Sequence, residues 1–137
     1  MLVRFGLMFA LTFSLAVAGR QELAPNCCEW EREKLSSHQV KARLRKIEPI
    51  YLPGTVDKLR IRGTVVMAVA VDDKGEVDCV QIISGHSLII GTTIDSVKRW
   101  KFRPYAPQGL KKGFCGRIAV SYQANQYGVK YKVVDVP

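Results

Sequence analysis

Gly63-Thr64-Val65-Val66-Met67-Ala68-Val69-Ala70-Val71-Asp72-Asp73-Lys74-Gly75-Glu76-Val77-Asp78-Cys79-Val80-Gln81-Ile82-Ile83-Ser84, continued to Tyr105, is the stretch that decides the fold. Two extended runs, Thr64 to Val71 and Glu76 to Ser84, flank Asp72-Asp73-Lys74-Gly75. That turn places Gly where a positive φ is needed, so the pair reads as a β-hairpin. Val65, Met67, Val69 and Val71 share one face of the first strand, and Val66, Ala68 and Ala70 share the other. Both faces are apolar, which predicts a central strand. In the second strand Val80 and Ile82 oppose Cys79 and Ile83. Ser84-Gly85-His86-Ser87 then turns into a helix with a stripe of Ile90, Ile94, Val97 and Trp100 or Lys101, which runs to Phe102 and stops before Pro104.

Downstream, Pro104, Pro107 and Gly109 mark a loop into a third strand, Cys115 to Tyr122. There Ile118, Val120 and Tyr122 alternate with Arg117, Ala119 and Ser121. Gly128 to Val136 has strand propensity but no evident partner, and reads as a fourth strand or a tail. Upstream, Cys28 to Lys46 reads as a helix on Val40, Leu44 and Ile47, with Ser36 or Ser37 as a cap and Pro49 as a stop. Thr55 to Arg60 is one helical turn. The expected fold is therefore α+β: a small ββαβ antiparallel sheet with one helix packed across it, preceded by an N-terminal helix. Its core is expected to include Val69, Val80, Ile82, Ile94, Val97, Trp100 and Phe102, the two aromatics burying the largest areas.

The N-terminus carries a different signal. Arg4 precedes an apolar run, Phe5 to Ala18, closed by Ala16-Val17-Ala18. The run is shorter than the roughly 20 residues of a spanning helix. A secretory signal peptide over 1–18 is expected, with a short uncleaved anchor as the alternative. A link over 19–46, a domain over 47–123 and a strand or tail over 124–137 follow. Location is expected to be the periplasm or outside the cell, with attachment to the inner membrane, and membrane contact, only if the signal stays.

Export changes the meaning of the charge and the cysteines. The 137 residues carry a formal charge of +9. Export argues against nucleic acid, leaving acidic partners or anionic surfaces. Two clusters concentrate the charge, Lys41 to Lys46 and Lys98 to Arg103, and a solvated face is the simpler reading of each. Cys27, Cys28, Cys79 and Cys115 form an even set without C-x-x-C spacing, and outside the cytoplasm such sets pair. With only His38 and His86 besides, no metal site and no cofactor are expected. No catalytic set stands out either. Asp72 and Asp73 are turn residues, and His86 beside Ser84 and Ser87 lacks the rest of a triad. The chain is not expected to be an enzyme.

Three places resemble the C-terminal domain of TonB, the periplasmic part of an energy transducer that grips outer-membrane transporters. Glu48-Pro49-Ile50-Tyr51-Leu52-Pro53 resembles its Pro-x-Tyr-Pro entry. Leu59-Arg60-Ile61-Arg62-Gly63-Thr64-Val65 resembles its helix-to-strand junction. Asp72 to Val77, Ser84-Gly85-His86 and Val97 to Pro104 resemble its hairpin, turn and Trp-x-Phe-x-Pro helix end. The resemblance implies binding of an extended receptor peptide, the TonB box, by strand addition at a sheet edge. The edge it implies is Cys115, Gly116, Arg117, Ile118, Ala119, Val120, Ser121, Tyr122 and Gln123, with Ile47 to Pro53 as a second contact. The chain departs from a full transducer: Phe5 to Ala18 holds Ser14 but no His, and no Pro-rich spacer follows. The expectation is a periplasmic binding module without its own energy-transducing anchor. The alternatives are a disulfide-stabilised dimerising protein of the same fold, and a basic-surface binder of anionic polymers or lipids.

The family strand order also bears on the cysteines. With the first strand between the other two, Cys79 and Cys115 stand about two strand spacings, ~10 Å, apart. That is too far for a direct bridge. Both alternate to the face without the main helix. Cys27 and Cys28 are then expected to bridge to Cys79 and Cys115, laying the N-terminal helix over that face with Val40, Leu44 and Ile47 beneath it.

Overall fold

The computed structural model describes Cys27, Cys28 and residues 32–136. The expected signal peptide, and residues 19–26 and 29–31 of the expected link, lie outside them. The elements run β1 (Glu33–Lys34), α1 (Ser37–Ala42), β2 (Leu44–Lys46), α2 (Gly54–Lys58), β3 (Gly63–Val71), β4 (Val77–Ser84), α3 (Ser87–Val97), β5 (Lys101–Phe102), β6 (Phe114–Asn125) and β7 (Gly128–Val134). β3 lies between β4 and β6, antiparallel to both. The far side of β6 pairs first with β1, in parallel, and then with β7. β2 and β5 form a separate two-stranded ribbon. The fold is α+β, as expected.

Two layers follow from the alternation. Val65, Met67, Val69 and Val71 of β3 and Phe114, Ile118, Val120 and Tyr122 of β6 face α3 and are buried. Val80 and Ile82 pack partly buried against them. The helix presents Ile89, Thr93, Ser96 and Val97, then Trp100 beyond its end, all buried. The core stripe therefore starts at Ile89 rather than Ile90, and Ile94 is only half-buried. The difference is one residue of helix phase, set by Trp100. Its indole Nε1 donates to Ser96 Oγ at 3.0 Å and Glu48 O at 3.2 Å, while Ser96 Oγ donates to Glu48 O at 2.7 Å. α3 also ends earlier than expected, at Val97. Phe102 is core, but it sits in β5, where Leu44 pairs with it.

Turn chemistry holds the β3–β4 hairpin. Asp72 Oδ1 accepts from the N–H groups of Lys74 and Glu76, each at 2.9 Å, and Gly75 has φ 87°. Gly75 O also accepts from Phe102 N at 2.8 Å, so the turn supports β5. A Cβ on Gly75 would collide with the Phe102 carbonyl oxygen. Gly75→Ala therefore combines left-handed strain with a backbone clash, and should lower stability by more than about 2 kcal/mol, measured by urea unfolding.

The N-terminal helix is much shorter than expected. Ser36 and Gln39 form a capping box, so the helix starts there, and Arg43 ends it. Before it, Leu35 N donates to Cys115 O at 2.8 Å, continuing β1 along β6. Val40 and Leu44 join the core on the α3 side, and Ile47 is 46% exposed. None of the three covers the opposite face. The close approach of α1 explains Gly116, where an added Cβ would lie 2.5 Å from Val40 Cγ2.

The opposite face carries a smaller cluster of Cys27, Ala70 and Cys115, with Cys28, Ala68 and Cys79 against it. Cys27 is bonded to Cys79 and Cys28 to Cys115. Both strand cysteines are register partners of Ala70, one on each side. The pairing of the N-terminal cysteines with the two outer strands is as the family strand order implied.

Candidate functional site

The expected docking strand is β6, and the structure places all of Cys115 to Gln123 in it. It is not a free edge. β3 pairs along one side; along the other, β1 meets Phe114 and Cys115, and β7 meets Ala119 to Asn125. Between these, α1 crowds Gly116. The reason is the last run of the chain, which folds back as a strand. Asn125 pairs with Gly128 across a two-residue turn, Asn125 Oδ1 accepts from Tyr127 N at 2.8 Å, and Gly128 has φ 124°. The turn lacks an Asn-Gly pair, so its sequence signal is weak.

Within β6, the side chains divide as the alternation predicts. Ile118, Val120 and Tyr122 are buried on the α3 side. Burial pushes the Tyr122 hydroxyl pKa up, and that hydroxyl is hydrogen-bonded to Thr93 Oγ1. Arg117 and Gln123 are exposed on the opposite face, with Ser121 half-buried between them. A shallow groove on that face runs between Leu35, Ala68, Gln81, Ile83 and Arg117.

The edge next to β6 passes to β7. Val129 N donates to Asp57 Oδ1 of α2 at 2.9 Å, so this N–H points away from β6. In an antiparallel ladder that direction repeats every second residue, which turns the N–H and C=O of Tyr131 and Val133 outward too. Among the described residues no backbone bond reaches them. The segment Ile47 to Pro53 lies beside this edge: Ile50 N donates to Tyr131 Oη at 2.9 Å, and the Tyr51 side chain is 81% exposed. Val129, Tyr131 and Val133 pack against the core, while Lys130 and Lys132 are exposed on the other face. Sequence reasoning missed β7 as the edge because nothing local identifies its partner.

Among the described residues no cluster of three or more His, Cys, Asp or Glu side chains is placed to hold a metal. His86 Nδ1 accepts from Leu88 N at 3.2 Å and so caps α3, the use a turn residue before a helix implies. No helix among the described residues is long and apolar enough to cross a membrane.

No curated protein matches the chain. Residues 48–124 match the family described as Gram-negative bacterial TonB protein C-terminal. The matched stretch runs from Glu48 through α2, β3, β4, α3 and β5 to Ala124 in β6, which is more than half of the chain. β7, α1 and the two N-terminal cysteines lie outside it. The chain belongs to the TonB C-terminal domain family, and is a transport-associated interaction module of the kind that engages outer-membrane receptors.

Proposed function

We propose that this module binds an extended segment of an outer-membrane receptor, the TonB box, as a strand added along the outer edge of β7. The observation that carries it is the Ile50 N–H to Tyr131 Oη bond. It joins the entry segment, which the resemblance implies as a second receptor contact, to β7, the strand that covers the β6 edge implied by the resemblance. An edge supplies main-chain donors and acceptors, so affinity requires little of the peptide's sequence. Exposed Tyr51, next to Ile50 in the chain, offers an aromatic anchor. Addition to β7 also leaves all seven β6–β7 register pairs in place. The module works in the periplasm.

Val133→Pro tests the edge. It removes an outward N–H without touching a β6–β7 bond, and proline is tolerated on edge strands. Calorimetric titration with a synthetic TonB-box peptide should show about tenfold weaker binding for this variant than for the wild type, the order expected for a lost hydrogen bond with its acceptor stranded. Equal affinities would remove β7 as the docking edge. A wild-type protein that doubles in size with concentration and ignores the peptide would instead assign the edge to a second copy.

A further inference from the structure

The two basic clusters of the sequence, far apart in the chain, meet in the fold. β2 pairs with β5, setting Leu44 against Phe102 and Lys46 against Lys101. Arg103 N donates to Arg43 O at 2.7 Å and extends the ribbon. Leu44 and Phe102 turn into the core, so Arg45, Lys46, Lys101 and Arg103 are left outside. Lys98, at the end of α3, is exposed nearby. Among the described residues of the two clusters, Lys41, Lys46 and Lys101 have acidic partners, Asp135 at 3.7 Å, Glu48 at 3.0 Å and Glu76 at 3.1 Å. Arg45 and Lys98 make no side-chain hydrogen bond or ion pair among the described residues. Glu48 responds to this surface: its carboxyl is held below the usual range, first by the Lys46 hydrogen bond and charge, with Arg99 and Lys101 adding.

Three further observations distinguish the occupant. Arg43 and Arg103 line a shallow cleft with Pro104 and Tyr105. Each spends one guanidinium nitrogen on a backbone carbonyl, Pro104 O and Ala42 O, and keeps other donors free for a phosphate. The loop that follows holds Leu110, 67% exposed, before Lys111 and Lys112, an apolar tip with cations beside it. Finally, the ribbon lies at the end of the sheet where the N-terminal chain is tied down. Gly75 O bonds Phe102 N, and the Cys27–Cys79 and Cys28–Cys115 bridges join on either side of Ala70, next to that turn. Cys27 and Cys28 are therefore held at the basic end.

We propose that this basic end is a docking surface for an anionic phospholipid bilayer. The ribbon and the Arg43–Arg103 cleft take lipid phosphates, and Leu110 enters the headgroup layer. The surface is separate from the β7 edge and does not depend on the receptor reading.

The test is flotation of the full oxidised chain with phosphatidylcholine vesicles, with and without phosphatidylglycerol. Each cation near an anionic bilayer strengthens binding about fivefold, so Arg45→Glu/Lys98→Glu/Lys111→Glu should bind the anionic vesicles at least about tenfold more weakly than wild type. Lys58→Glu/Arg62→Glu/Lys130→Glu has the same net charge, altered at the other end of the sheet, and should bind like wild type. All six side chains are exposed, and matching thermal unfolding of both variants checks that they fold. Residues 1–18, kept or cleaved, are the same in all three proteins and cancel in the comparison. Wild-type binding should also fall as salt rises from about 0.05 M to about 0.5 M. Equal losses in both variants, no loss in the first, or binding to soluble polyglutamate without binding to vesicles would overturn the proposal.

Discussion

Cys28→Ala/Cys115→Ala, made together, is expected to lower the unfolding free energy by about 3–4 kcal/mol in the chain-entropy account of disulfides. The bridges close separations of 52 and 87 residues. Even with Cys27–Cys79 intact, the second bridge still ties the start of β6 to a distant part of the chain. Domains of this size have roughly 5–15 kcal/mol in total, so the loss is a large fraction. The native packing explains why the sheet needs this. On the α3 side β3 and β6 are covered by Trp100, Phe102 and Ile89. On the other side the small Ala68, Ala70 and Cys115 are covered by the N-terminal cysteines. Urea unfolding of the oxidised proteins measures the difference. The variant should keep its β-sheet far-ultraviolet signal, because the larger core does not involve the bridges. A loss under about 1 kcal/mol would mean that the denatured chain is already restrained near these residues.

Trp100→Ala is the second large effect, about 3–5 kcal/mol for removing a fully buried indole. Trp100 is wholly buried and links three parts of the chain: the end of α3, the entry segment at Glu48 and the β2–β5 ribbon. Its removal leaves a cavity and strips Glu48 O of one of its two donors. Trp100→Phe keeps most of the packing and should lose much less. Thermal unfolding separates the two, and similar losses would mean that the indole N–H, not the ring, holds the site together.

The hairpin and the central strand were legible because they rest on local chemistry. Asp72 to Gly75 is a turn by composition, and β3 is apolar on both faces. The side on which Cys79 and Cys115 lie followed from alternation, once the strand order was supplied by the family resemblance. What was not legible depends on tertiary partners. β1, β2 and β5 are only two or three residues long, and Leu44 is a strand residue because Phe102 stands opposite it. The helix expected over Cys28 to Lys46 fails at its start through the Ser36–Gln39 capping box and at its end through that pairing. The outer edge moved from β6 to β7 for the same reason: Gly128 to Val134 has strand character in any context, but its register on Ala119 to Asn125 comes from packing Tyr131 and Val133 into the core. The basic clusters read as two solvated faces, and only the ribbon shows them as one.

The receptor-binding account is tested most directly by titrating the nitrogen-15-labelled, oxidised protein with a TonB-box peptide while following amide shifts and hydrogen exchange. The account predicts saturable shifts centred on Tyr131, Val133 and Tyr51, new protection of the Tyr131 and Val133 amides, and intact protection along β6. Shifts confined to β4, loss of protection throughout β7, or no shifts at saturating peptide would contradict it.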